Sequence, residues 1–461
     1  MNPVLYWNAI LLEASRRDFT RGYSMMQQPG PIATSRAMAI VHLAIHDAVA
    51  FRRGKPAAAY LNKRPVPAHG IGAPPSGTLE DVIEGAAYTA LVALYPKYKR
   101  FFSDSLGTFK QVDFDYGKQI ADAILLHRTN DGSQKPIMGP QPDMPRYGQH
   151  QADPYQPTQM RLGPEWGGVM RFTGAAHKPL APYPGHAPVP FNLLSNPAYK
   201  LDYDEVRDTG AAARGKRTAE QERIGVYWGY DGAMNLGVPP RLYNQVGRRV
   251  AEGHSLSTEK TAELFAEINV AMADAGIDAW HWKYLYDLWR PVVGIRQEAA
   301  PDRDVFWAPL GAPQTNTTVR TTLTPGFPAY PSGHATFGAA LFQVLRLYLK
   351  TAPGPITVQD VLDVDAGVSP AIPKETFMFV SDELDGIATD PDGSVRTKVE
   401  KEFKNFAEAV WENSVSRIYL GVHWRFDGIP RSAADNIGGV PLGLAIGEET
   451  HAFFNTGASL G

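Results

Sequence analysis

In stretch after stretch of this chain, apolar residues return every three or four positions, a spacing that matches one face of an α-helix. The pattern runs from Val4 to Arg17 and again from Arg36 to Phe51. It resumes from about Leu79 to Leu94 and Phe109 to His127, so the first 130 residues predict a bundle of about four helices. Later helices are expected from about Thr218 to Tyr230, closing at Asp231-Gly232, and from Pro240 to Glu252. A long one is expected from Ser257 to Arg290, with Gly276 as the point where it could break and Pro291 as its end. The last three expected helices run from Ala335 to Leu349, Lys398 to Leu420 and Asp427 to Gly447. An extended segment, about Ala352 to Ser394, separates the first of these from the second.

The texture changes between Pro136 and Pro197, where 13 of the 38 prolines fall within 62 residues and periodicity is lost. Connections this long inside a domain are uncommon, and they are usually linkers or covering segments. Trp166, Phe172, Tyr183 and Phe191 favour an ordered wrap over free disorder. Three regions are therefore expected: a helical bundle over 1–135, a proline-rich wrap over 136–198, and a second helical region over 199–461.

Composition removes several function classes. A formal charge of -3, with 20% charged and 44% hydrophobic residues, gives no basic field for nucleic acid or an anionic membrane surface. No apolar run reaches the ~18 residues of a membrane span. The start, MNPVLYWNAILLEASRRDF, has charges where a signal peptide needs an apolar stretch, which leaves a soluble chain of unspecified compartment. Without cysteine there is no disulfide, thiolate metal site or cysteine nucleophile. His42 and His46, at i and i+4, could face one metal, but structural zinc needs four ligands and core histidines are the better expectation.

Three clusters carry chemistry. In Pro331-Ser332-Gly333-His334, Ser332 is an N-cap, Gly333 permits close backbone approach, and His334 lies in the first turn, where free N–H groups favour an anion. A capped surface helix is the alternative. Lys283 and Arg290 stand two helical turns apart and are expected on one helix face; local pairing with Asp287 is the alternative there. In the third cluster a helix is expected to end at Gly421, so that Arg417 in its last turn and His423 past the bend can converge.

Lys283, six residues, Arg290-Pro291, then Pro331-Ser332-Gly333-His334, then Ser416-Arg417, five residues, His423, three residues and Asp427 resembles a three-part signature. It is that of the vanadium-dependent haloperoxidase and type 2 phosphatidic acid phosphatase superfamily. The likeness is greatest to the fungal-type vanadium chloroperoxidases. It extends to Tyr230-Asp231-Gly232, Val238-Pro239-Pro240-Arg241, Phe327-Pro328-Ala329-Tyr330 and Ser381-Asp382-Glu383-Leu384.

That resemblance implies an all-α fold of two four-helix bundles, with vanadate held in the second. Lys283, Arg290, Ser332, Gly333 and Arg417 would bind the oxygens of the vanadate, His423 would ligate vanadium(V), and His334 would act as acid and base. Asp231 would orient Arg417, although a plain turn residue before Gly232 is also an open reading. The reaction implied is oxidation of halide by hydrogen peroxide to hypohalous acid, which halogenates a small organic substrate. Lys283 would help polarise the peroxide. Phe327 and Trp280 match chloroperoxidase positions and favour chloride, with bromide easier to oxidise; ordinary core packing is the alternative for both. Phosphate is the other oxyanion expected to fit the site. An acid phosphatase using His423 as nucleophile is therefore the first rival, and a helical binding protein with a vestigial site is the second.

Overall fold

The computed structural model describes residues 2–20, 26–63, 70–187, 192–213, 215–299, 301–318, 323–351, 354–372 and 374–456. Phe191, one of the aromatics expected to order the wrap, lies outside them. The fold is all-α: helices make up its body, and the strands among the described residues form two small two-stranded ribbons.

The longest helix, Thr258–Tyr286, is the axis of the molecule. It packs against Gly30–Arg52 on one side and against Gly333–Leu349 and Gly439–Asn455 on the other. It has no outer face for most of its length, being buried almost without interruption from Thr261 to Trp280. Gly276 causes no break, because Phe337 and Ser35 pack against the position where a side chain would stand. One apolar core gathers the N-terminal helices around Ala262, Ala266, Val270 and Ala273 of this axis; the other surrounds its opposite face.

Buried acids on the axis tie down the proline-rich segment. Asp274 accepts from the backbone N–H groups of Phe172 and Thr173, at 2.6 and 3.1 Å, and Asp278 accepts from Lys178 N–H at 2.9 Å. These bonds supply partners for a loop backbone that has no ladder of its own. Trp166, Phe172 and Tyr183 are buried. His42 and His46 are core histidines, bonded to Asn8 and Asp47.

Several expected boundaries move. The axis stops at Tyr286, where Asp287 takes a left-handed backbone conformation. Pro291 begins a new helix, Pro291–Gln297, instead of ending the old one. Between Lys398 and Leu420 the chain first forms a strand, Glu400–Phe403, paired with Phe377–Val380; the helix starts only at Phe406. The last expected helix is two pieces, Arg425–Gly428 and Gly439–Asn455, divided by a segment containing Pro430. The extended segment contains the helix Val358–Asp365.

Candidate functional site

Ser332 caps the helix Gly333–Leu349 by accepting from Ala335 N–H. The N–H groups of Gly333 and His334 therefore lie in the first turn, where the helix itself offers no acceptor. A Cβ on Gly333 would stand 3.3 Å from the Trp280 ring, so glycine lets the indole lie against the helix start. The same turn is stitched to the third cluster, because Ser332 N–H donates to the Asp427 carbonyl at 2.7 Å.

Arg417 sits in the last full turn of the helix Phe406–Tyr419, and Gly421, at φ +71°, turns the chain back. A side chain at Gly421 would meet the Gly210 carbonyl, so the reversal is tight against its neighbour. Beyond it, His423 Nδ1 bonds Asp427 Oδ2 at 2.8 Å, and Trp424 N–H donates to the same oxygen at 3.0 Å. Arg290 Nη1 donates to His423 Nε2 at 2.9 Å and to the Val422 carbonyl at 2.8 Å. His423 is thereby fixed as the neutral Nδ1–H tautomer, with its Nε2 lone pair facing the cations.

His334 Nε2 bonds the Gly229 carbonyl at 2.8 Å. A carbonyl only accepts, so Nε2 carries the proton and Nδ1 holds the lone pair. Arg417 Nη2 donates to Asp231 Oδ1 at 2.6 Å. Asp231 is presented by a turn in which Tyr230 and Gly232 both have positive φ. Glu383 braces that turn by accepting from Tyr230 N–H at 2.9 Å, and Asp382 N–H donates to the Tyr230 hydroxyl at 2.8 Å. Arg396 and Thr315 in turn hold Glu383.

Gly333, His334, Arg417, His423, Asp231, Trp280 and Phe327 line one cavity of about 520 Å³. Lys283, Arg290 and Ser332 stand behind this wall. Lys283 Nζ donates to the carbonyls of Pro328, Ala329 and Pro331 at 2.8, 3.0 and 2.5 Å, which uses all three of its protons. Its partners are thus the backbone of the loop before the socket. Asp287 pairs with Arg161 and Gln149 instead of Lys283 or Arg290. The expectation that Lys283 and Arg290 share a helix face also fails, since the helix has ended before Arg290; they approach through the turn. The Trp280 and Phe327 rings lie 4.7 Å apart, and Arg290 and Lys283 stand within 4.9 and 5.1 Å of the Phe327 ring centroid.

The electrostatics follow from crowding cations into a dry place. Burial, reinforced by Arg417, brings His334 down to about 3. Burial brings Arg290 down to about 9, and burial with Arg290 nearby puts Lys283 well below the usual amine range. Asp427 is pushed up to about 8 by burial, against the pull of Lys283 and Arg290. Arg290 Nη2 and Arg417 Nε and Nη1 are buried and have no acceptor among the described residues. Buried guanidinium donors are costly unless something accepts from them, and a tetrahedral oxyanion has the charge and lone pairs to do so.

The partner of the second His423 nitrogen, Asp427, has a sequence signal in the i+4 spacing that links the two. Glu383 lies in the Ser381-Asp382-Glu383-Leu384 stretch of the resemblance, but neither it nor Arg396 has a spacing that signals a link to the Asp231 turn, because that link joins residues far apart in the chain.

Two family models match the chain: the second helical-bundle domain of vanadium chloroperoxidase over residues 263–456, and the vanadium chloroperoxidase N-terminal domain over residues 1–160. Vanadium chloroperoxidase of Curvularia inaequalis is 32% identical, in an alignment covering 99% of this chain and 90% of that protein. Among solved structures, a bacterial vanadium-dependent iodoperoxidase superposes with a TM-score of 0.68 at 22% identity, covering 98% and 95% of the two chains. A holo-type bacterial vanadium-dependent chloroperoxidase gives 0.60 at 15% identity, covering 92% of each. Signature, fold and full-length similarity agree, and the chain belongs to the vanadium chloroperoxidase family.

Proposed function

We propose that this protein is a vanadium-dependent haloperoxidase that uses hydrogen peroxide to oxidise chloride and bromide, and that vanadate is held where the three clusters converge. The observation that carries the proposal is the set of buried, unpartnered donors on Arg290 and Arg417 beside the Nε2 lone pair of His423. Arg290, Arg417, the Gly333 N–H and the Ser332 hydroxyl would hold vanadate oxygens, and His423 Nε2 would ligate vanadium by giving up the hydrogen bond it accepts from Arg290 Nη1. When bound, vanadate supplies a Lewis acid that activates peroxide towards halide without changing its own oxidation state.

The chain's own groups divide the remaining work. Asp427 holds the His423 proton on Nδ1, so the lone pair stays on Nε2. Asp231 anchors one nitrogen of Arg417 and leaves the other two for an oxyanion. His334, kept neutral by burial and Arg417, has Nδ1 free to take a proton from peroxide and return it to the departing oxygen. Lys283 secures the 328–331 loop; to donate to peroxide it must exchange one of its three carbonyls. Trp280 and Phe327 make that side of the cavity apolar and strengthen the local field, which supports chloride as a substrate.

The test is purified protein given vanadate, hydrogen peroxide and chloride or bromide, scored by halogenation of a diketone dye, with phosphate-ester hydrolysis measured alongside. Halogenation that requires vanadate is expected. Phosphate-ester hydrolysis through His423, without halide oxidation, would replace this reading with the phosphatase one.

A further inference from the structure

The cavity extends well past the oxyanion end. Its other wall carries three thioethers, Met26, Met138 and Met160. They come from neighbouring segments: Met138 pairs across the ribbon with Leu162, Met160 lies two residues before that partner, and a Cβ on Gly30 would touch the Leu162 side chain. Their exposures are 45%, 40% and 46%, whereas Trp280 and His423 at the other end are buried. Side chains that line the cavity and are also half-exposed mark its mouth, so a small oxidant formed at the closed end meets these sulfurs before reaching bulk solvent. Thioethers are readily oxidised, and exposure governs which of them react when oxidant arrives from outside.

Resting on the haloperoxidase reading, we propose that Met26, Met138 and Met160 form a product-directed oxidation site, converted to sulfoxides by hypohalous acid leaving the cavity. The chemistry balances without another reagent. A sulfur lone pair takes the halogen from hypohalous acid and water oxygen then displaces it, so an S–O bond forms as the O–halogen bond is lost. Sulfur gives up two electrons, the halogen leaves as halide, and the remaining proton goes to solvent. The apolar wall thereby becomes polar in proportion to turnover, and the sulfoxides record the route that the product takes.

Two methionines outside this cavity serve as internal references: Met144, 89% exposed, and Met378, 44% exposed. Vanadate-loaded protein is turned over with peroxide and bromide in the presence of excess free methionine, which removes released hypobromous acid. Sulfoxide at each position is then read by peptide mass spectrometry. Parallel arms use added hypobromous acid without turnover, and peroxide without halide. During turnover the three cavity methionines should exceed Met144 and Met378 by about threefold or more, and added reagent should reverse the order in favour of Met144. Oxidation during turnover that follows exposure, or an equal cavity signal with peroxide alone, would overturn the proposal while leaving the haloperoxidase reading intact. Failure to oxidise bromide at all would remove the haloperoxidase reading, and this inference with it.

Discussion

Replacing Asp427 tests how the site holds its metal-ligating nitrogen. Asp427 Oδ2 accepts two buried N–H groups, His423 Nδ1 at 2.8 Å and Trp424 N at 3.0 Å. Asp427→Ala removes the one acceptor that serves both donors, and leaving a buried donor without a partner costs about 1–3 kcal/mol of stability. The imidazole is then free to rotate or change tautomer, and loss of such an outer partner typically lowers metal affinity by about 10–100-fold. Asp427→Asn is the sharper comparison. Burial pushes this carboxyl up to about 8, so at pH 7 the amide resembles its neutral form and keeps an oxygen facing both donors. Vanadate affinity, measured by equilibrium dialysis in phosphate-free buffer, should therefore fall about 10–100-fold for Ala and stay within about threefold of wild type for Asn. Urea unfolding without vanadate should rank Ala below Asn. An Ala variant that binds vanadate as tightly as wild type, or an Asn variant as impaired as Ala, refutes the reasoning.

His423→Ala should lose vanadium retention, whereas His334→Ala should keep the metal and lose halide oxidation; vanadium analysis beside the dye assay separates them, and full halogenation by His334→Ala removes the acid-base assignment. Lys283→Met should lower stability in urea by about 2–4 kcal/mol even without vanadate, because three buried carbonyls lose their donor. An unchanged midpoint would show that the lysine does not secure the loop. His42 is brought down to about 3 by burial, so the unfolded chain binds this proton first as the pH falls. Its contribution is full above the unfolded value near 6.5 and declines towards 3, by about 1.4 kcal/mol per pH unit. His42→Gln should therefore lose less stability than wild type between pH 6.5 and 5, by about 2 kcal/mol in urea titrations; parallel curves would contradict this.

The helices were legible because their apolar spacing is set by the same cores that bury them, and Leu79–Leu94 and Gln111–His127 show it well. The boundaries around the site were less legible. Asp287 takes a left-handed conformation usually left to glycine or asparagine, so the end of the axis helix carries no ordinary stop signal. Pro291 reads equally well as the end of one helix or the first turn of the next. Glu400–Phe403 is a mainly charged strand that pairs on one side only, and its alternation is too short to separate from helix. The convergence of Lys283 with Arg290 was expected for the wrong reason, since the turn and not a shared face brings them together. Arg417 and His423 were legible because the expected helix end at Gly421 lets them converge, whereas the pairing of Asp231 with Arg417 was implied only by the resemblance. The brace from Arg396 through Glu383 to the Asp231 turn exists only in the folded chain.

The central claim is that Arg290, Arg417 and His423 meet on one vanadate, and titrating vanadium-free protein with vanadate tests it most directly. Bound vanadium and bromide oxidation should rise together and saturate at one vanadium per chain, and His423→Ala should abolish both. Bromide oxidation at full rate without vanadium, or vanadium binding indifferent to His423 and Arg417 replacement, would contradict the account.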